Sequence, residues 1–203
     1  VAEVSILDYG IGNTGSILNM LGKLRLPAAL VADAQGLRAA KRLVLPGIGA
    51  FDACMLALQA SGLREPLLEF CASGRPLLGI CVGMQMLTLG SEEGTQPGLG
   101  LVRAHTRKFA ARAGLGVPHM GWDVVRWQMP DHPLAHELTA ENRFYFVHSY
   151  CVTCESAANS LAECTYGEDF SAAIVAGNLA GVQFHPEKSH RFGLQLLRNF
   201  AAS

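Results

Sequence analysis

The stretch "LLGICVGMQML", Leu77 to Leu87, runs from an apolar strand into a helix with one cysteine set between two glycines. Glycine weakens strands and helices alike, so Gly79 and Gly83 on either side of Cys81 require a cause. Two causes fit. One is close packing where the strand meets the helix, with Cys81 as a small core residue. The other is a sharp turn that holds a nucleophilic sulfur clear of the backbone.

Outward from this turn, the amino-terminal half repeats one theme. "VSILD" (4–8) reads as a buried strand followed by the glycine-rich turn "YGIGN". Asn13 is then placed to cap a helix with Ile17, Leu21 and Leu24 on one face. "KRLVLP" (41–46) is a second apolar strand, closed by "GIG", with helices expected near 51–60 and 63–73 and another beginning at "MQML". Strand, turn, helix and strand at this spacing imply right-handed crossovers and a parallel sheet covered on both faces.

After residue 97 the pattern changes to strand-like pieces with short turns: "LGLVRAH", "WDVVRW", "RFYFVHSY", "SLAECTY", "SAAIVAG" and "LAGVQFH". The expected fold is therefore α/β: an open, mostly parallel central sheet flanked by helices, with an antiparallel or mixed extension of the same sheet in the carboxyl-terminal half. A last helix over 190–202 places Phe192, Leu196 and Phe200 on its apolar face. "ARAGLG" (111–116) reads as a surface loop. No repeat or linker divides residues 1–203, so one domain is expected.

The bulk numbers exclude several functions. Half of the 203 residues are hydrophobic, enough for a sizeable core without disulfide staples. Sixteen Lys and Arg against 17 Asp and Glu leave no basic excess for nucleic acid. No apolar run approaches the roughly 18 residues of a membrane span, and no leader segment is read at the amino end. The six cysteines (54, 71, 81, 151, 154 and 164) form no disulfide framework, which points to a reducing, cytoplasmic setting. Cys151 and Cys154 make a CxxC, but residues three apart on a strand face opposite sides and there is no second pair, so no metal site is expected.

"GICVG" has the form glycine–x–nucleophile–x–glycine. A strained strand-to-helix turn would expose Cys81 at the carboxyl edge of the sheet, and the helix amides would favour its thiolate. The N–H of Val82 could stabilise an oxyanion. A thiol nucleophile also needs a base and a group to orient that base. "VQFHPEKSH" supplies His185 and Glu187, two residues apart in extended chain and so on the same side. His148, in "FVHSY", is the nearest rival base, but it lacks a carboxylate at a similar spacing. "LPGIGAF" (45–51) follows another strand; Gly47 and Gly49 leave the peptides around Ile48 free to turn an N–H toward an oxyanion, or simply to form a turn.

Taken together, "PGIG", "GICVGMQ" and "HPE" resemble the class I, triad-type glutamine amidotransferases. The longer set "DYGIGN", "LPGIGAF", "GICVGMQML", "SEEG", "GLGL", "PHMGWD", "YFVHSY" and "GVQFHPEKS" is most similar to the glutaminase subunits of imidazole glycerol phosphate synthase, and spans nearly the whole chain. The resemblance implies hydrolysis of glutamine to glutamate and ammonia through a glutamyl thioester on Cys81. His185 would act as acid and base and Glu187 would steady it. Val82, Gly47, Ile48 and Gly49 would frame the oxyanion; Gln85, Gly49, Ser149 and Tyr150 would hold the substrate. It further implies a (βα)8-barrel cyclase partner that receives the ammonia for histidine biosynthesis, faced by Asn13, Trp122, Tyr145 and Lys188, with no cofactor. The residues alone also allow a thiol hydrolase acting without a partner, or a non-catalytic subunit.

Overall fold

Every residue of four short segments, Val4–Leu7 (β1), Leu43–Gly47 (β3), Leu77–Cys81 (β4) and Leu179–Val182 (β12), is buried, the pattern of strands covered on both faces. The structure is a computed structural model that describes residues 4–110 and 112–203. Between these strands the first half carries α1 (Thr14–Lys23), β2 (Ala28–Val31), α2 (Ala34–Ala39), α3 (Phe51–Ala60), α4 (Arg64–Ala72) and α5 (Val82–Met86). The second half adds β5 (Ala104–Lys108), β6 (His119–Val124), β7 (Arg126–Trp127), β8 (Arg143–His148), β9 (Tyr150–Cys154), β10 (Ser160–Tyr166) and β11 (Glu168–Ala176), and ends in α6 (His190–Ala202).

The main sheet runs β2-β1-β3-β4-β12-β11-β10-β7, with β9 also on β11 and β5 on β9. Its β2, β1, β3, β4 and β12 are parallel, and the strands beyond β12 are antiparallel. The last strand in sequence, β12, thus lies beside β4, at the centre of the sheet. That placement carries the chain ending in "HPE" to the Cys81 turn. In register, Gly47 faces Cys81 across β3 and β4, and Val182 faces Ile80 across β12 and β4.

Three expectations need correction. First, β6 and β8 do not extend the main sheet: they form a separate two-stranded sheet. Their alternation explains it. On one face Phe144 and Phe146 are fully buried, Phe144 stacking on Phe184 at 4.1 Å between ring centres. On the other face Met120, Trp122 and Val124 are exposed. Second, β2 and α2 are absent from the sequence-based expectation; β2 pairs only with β1 and shows solvent its middle residues, so it lacks a buried strand's apolar run. Third, the helix after Cys81 starts at Val82 and ends at Met86, a little over one turn. Residue 111 of the expected 111–116 loop lies outside the described residues, and 112–116 contains no helix or strand.

Candidate active site

The glycines of the opening stretch serve both of their proposed causes. A Cβ on Gly79 would lie 2.6 Å from the carbonyl oxygen of Gly83, and one on Gly83 would collide with the carbonyl oxygen of Leu45. A side chain on Gly47 would run into the amide of Gly83. The first turn of α5 therefore rests directly on the backbones of β3 and β4. That close approach forces the chain to reverse at one residue. Cys81 absorbs the reversal with φ 55° and ψ −114°, a conformation a side-chain-bearing residue rarely adopts and one that is retained at functional turns. Packing and strain are two aspects of a single arrangement.

His185 follows Gln183 and Phe184 just beyond β12. Its Nδ1 lies 2.8 Å from Glu187 Oε1, and both side chains are buried, at 4% and 1% exposure. Burial by itself would lower the pKa of His185, but the neighbouring Cys81 sulfur and Glu187 carboxylate outweigh it and push the imidazole up to about 10. Burial likewise opposes ionisation of Glu187, yet the His185 bond and charge, with help from Asn13, hold its carboxyl below the usual range. The ring's Nε2 is buried with no aligned hydrogen-bond partner among the described residues. The imidazole thus has one nitrogen committed to the carboxylate and the other free for chemistry.

The sulfur, the imidazole and the candidate oxyanion segment open into one cavity of about 450 Å³. Ile48, Gly49, Cys81, Val82, Gln85, Ser149, Tyr150, His185 and Lys188 all line it. Val82 is the first residue of α5, so its N–H has no acceptor within the helix. The carbonyl of Ile48 accepts from the Cys54 thiol at 3.3 Å, so in a trans peptide the Gly49 N–H points the opposite way. Tyr9 Oη donates to the carbonyl of Pro46 at 2.8 Å, and Gly12 is so close to the Pro46 ring that a Cβ there would lie 2.8 Å from it. The "DYGIGN" turn thereby holds the start of "PGIG".

Asn13 does not make the expected side-chain cap on α1. Its Nδ2 instead reaches Glu187 Oε1 at 3.4 Å, joining the first turn of the chain to the triad. Trp122 and Tyr145 lie opposite each other on the β6–β8 sheet with rings 5.7 Å apart, and Lys188 Nζ sits 5.5 Å from the Tyr145 ring centre. Gly47, buried at the end of β3 against the amide of Gly83, is not among the residues that line this cavity.

Three lining residues were not among the sequence candidates, Glu93, Pro118 and Val147, and His148, weighed there only as a rival base, lines the cavity too. Glu93 Oε2 accepts the N–H of Phe51 at 2.8 Å and so caps α3, a contact for which "SEEG" holds no local signal. His148 is no rival base. Its Nδ1 is held 2.7 Å from the carbonyl of Tyr150, its Nε2 lies 3.0 Å from His119 Nδ1, and burial pulls its pKa down to about 3. His119 does have a carboxylate nearby, Asp123 at 3.4 Å, four residues on. Cys151 is fully buried while Cys154 Sγ accepts from Ser171 Oγ at 3.5 Å, and all six cysteines are free thiols.

Known proteins resemble this chain over nearly its whole length. A curated relative from Pseudomonas aeruginosa, imidazole glycerol phosphate synthase subunit HisH 2, is 44% identical over 198 residues, covering 97% of this chain and 98% of its own. The HisH subunit of Bdellovibrio bacteriovorus is 44% identical over 202 residues, with 98% of both chains covered. Among solved structures, a glutamine amidotransferase superposes with a TM-score of 0.76 at 19% identity over 98% of this chain and 99% of its own. A glutamine amidotransferase from Thermotoga maritima gives 0.62 at 17% identity, over 97% and 81%. At such identities these structures speak for the fold alone. The family profile described as glutamine amidotransferase class-I matches residues 5–203, and with relatives this similar over nearly their full length the chain belongs to the class-I glutamine amidotransferases.

Proposed function

We propose that this chain is the glutaminase subunit of an imidazole glycerol phosphate synthase, hydrolysing glutamine and passing the ammonia to a cyclase partner in histidine biosynthesis. The observation that carries the reading is the meeting of a strained Cys81 with the buried His185–Glu187 pair at one edge of the sheet. The HisH relatives narrow the substrate and pathway. A cytoplasmic setting fits the free thiols, and one domain spanning the chain fits the single buried hydrophobic cluster.

The chemistry follows from the residues. Cys81 sulfur attacks the side-chain amide carbon of glutamine, and the carbonyl oxygen gathers negative charge beside the N–H of Val82 and an N–H of the Gly47–Ile48–Gly49 segment. His185, held protonated beside the Cys81 sulfur and Glu187, gives that proton to the departing ammonia and is thereby left free to act as base in the next step. Glu187 fixes the tautomer and supports the imidazolium. Water then cleaves the thioester, with His185 as base. Gln85, Ser149 and Tyr150 hold the amino-acid end of the substrate in the cavity.

The partner reading draws on the β6–β8 sheet. Met120 is 61% exposed and Trp122 42%, an apolar stripe rare on a sheet meant for solvent. This face is joined to the triad by backbone. The N–H of His185 donates to the carbonyl of Tyr145 at 2.9 Å, and the N–H of Tyr145 donates to Ser189 Oγ at 3.0 Å. A (βα)8-barrel cyclase docked on Trp122, Tyr145, Lys188 and Asn13 would therefore press on the strand that holds His185. The test is a glutaminase assay of the chain alone and with a histidine-pathway cyclase. A marked rise in turnover with the cyclase is expected; equal rates with and without it would overturn the partner-gated reading, and a preference for other amides would favour an independent thiol hydrolase.

A further inference from the structure

Of the two other members of the triad, only the His185 imidazole faces the sulfur, but a further group touches it. Gln183 is completely buried, and its Nε2 lies 3.7 Å from Cys81 Sγ. The sheet places it there. Val182 is paired with Ile80 in the parallel register of β12 and β4, so the next residue of each strand, Gln183 and Cys81, emerge side by side at the carboxyl edge. The backbone N–H of Gln183 is fixed by the carbonyl of Ala172 at 2.8 Å.

The direction of its carboxamide follows from a chain of donors. The carbonyl of Tyr150 can only accept. Gln85 Nε2 lies 3.4 Å from that carbonyl and 3.0 Å from Gln183 Oε1, so Gln85 presents its nitrogen to both oxygens. His148 Nδ1 donates to the same carbonyl, at 2.7 Å. With its oxygen committed to Gln85, Gln183 must turn its NH2 group toward the sulfur. Reversing Gln85 would set its oxygen against the Tyr150 carbonyl, and reversing Gln183 would set NH2 against NH2 in a buried site, either one a larger loss than the bond's own contribution. The Tyr150 carbonyl, at the rim of the substrate cavity, therefore dictates what faces the nucleophile.

We propose that Gln183 is a further residue of the thiol site, its side-chain N–H donating a hydrogen bond to the Cys81 sulfur and so stabilising and aiming the thiolate. A neutral donor suits this place. It favours the charged form of sulfur through a charge-assisted bond without adding a second cation beside His185. It also constrains a side chain whose own backbone is strained. The inference rests on Cys81 being the nucleophile, as the proposed function has it.

The test is alkylation of Cys81 by iodoacetamide, followed by mass spectrometry of the peptide that contains it, across pH 5 to 10 in the parent chain and in Gln183→Met. Methionine keeps the volume and removes the donor. Loss of a bond to a charged group should slow alkylation at neutral pH by about ten- to a hundredfold. The rate should recover at high pH, so that the profile moves to higher pH, and glutaminase kcat should fall more than KM changes. An unmoved alkylation profile in a folded Gln183→Met chain, verified by its thermal unfolding, would overturn the proposal, because a merely structural role does not shift that profile. Should Gln183→Met fail to fold, the unmodified chain decides. The side-chain amide protons of Gln183, followed by NMR, should shift with pH in step with Cys81 alkylation and stop doing so in Cys81→Ala; a pH-independent resonance would overturn the proposal. Neither readout requires glutamine or a partner, so failure of the glutaminase assay and failure of this inference are separate results.

Discussion

The two sheets found among the described residues treat apolar residues in opposite ways. In the parallel strands β1, β3, β4 and β12 every residue is buried, and the strands serve to bring Gly47, Cys81 and the chain after Val182 to one edge. In the two-stranded β6–β8 sheet only one face is buried; the other shows Met120, Trp122 and Val124 to solvent. The first sheet uses its hydrophobic residues for rigidity around the strained Cys81 turn. The second leaves them unburied, which is intelligible when another protein covers them. The two regions meet at the hydrogen bonds of the Tyr145 backbone to the His185 N–H and the Ser189 hydroxyl, where the proposed docking face lies one hydrogen bond from the proposed catalytic base.

This contrast can be broken at several points. The largest effect is expected from Cys81→Ala, which should lower glutaminase turnover by about 10⁴-fold or more while leaving partner binding intact. Loss of binding would show that the two regions are not separable. Glu187→Gln should cost about 10³- to 10⁴-fold in turnover, because the imidazole loses the group that orients it; a kinetic assay with the partner bound measures this. Gly83→Ala should destabilise the fold by roughly 3 kcal/mol or more, since its methyl meets the Leu45 carbonyl oxygen rather than a flexible side chain; denaturant unfolding tests it. Trp122→Ala should weaken partner binding by about 2 kcal/mol, near thirtyfold, with Cys81 alkylation in the isolated chain unchanged.

The smallest effect is one of pH on stability. His185 is raised in the folded chain, so its contribution is complete below its ordinary value near pH 6.5 and fades as pH climbs through about 10. Glu187 is lowered, so its contribution is present above its ordinary value of about 4.3 and fades as pH falls below it. The difference in melting temperature between the parent and Glu187→Gln should therefore be widest between about pH 4.5 and 6.5 and narrow steadily toward pH 10. A gap that widens above pH 7 would show that the pair does not contribute as an ion pair.

Much of this site was legible because its signals are local. "GICVG" marks its own turn: only glycines admit the approach of α5 to β3 and β4, and they sit at the two ends of the motif. His185 and Glu187 are two residues apart, so their contact needs no knowledge of the fold. The strands β1, β3 and β4 announce themselves as continuous apolar runs. What was illegible depends on distant partners. Asn13 looks like a helix cap from its neighbours, yet its amide finds Glu187, 174 residues away. "RFYFVHSY" reads as one strand but is divided between two sheets at Ser149, since β8 packs its phenylalanines inward while β9 joins β5 and β11.

By itself the amino-acid order settled which residue types could do the chemistry and where the chain must turn sharply, because nucleophile identity, glycine clearance and short-range carboxylate–imidazole spacing are properties of a few adjacent residues. Only the tertiary structure decided that β12 would lie against β4, bringing His185 and Gln183 to the Cys81 sulfur, and that β6 and β8 would leave the main sheet with an apolar face outward. The physical reason is that strand order and amide orientation are set by which distant groups compete for the same neighbours, and that competition exists only once the chain has folded.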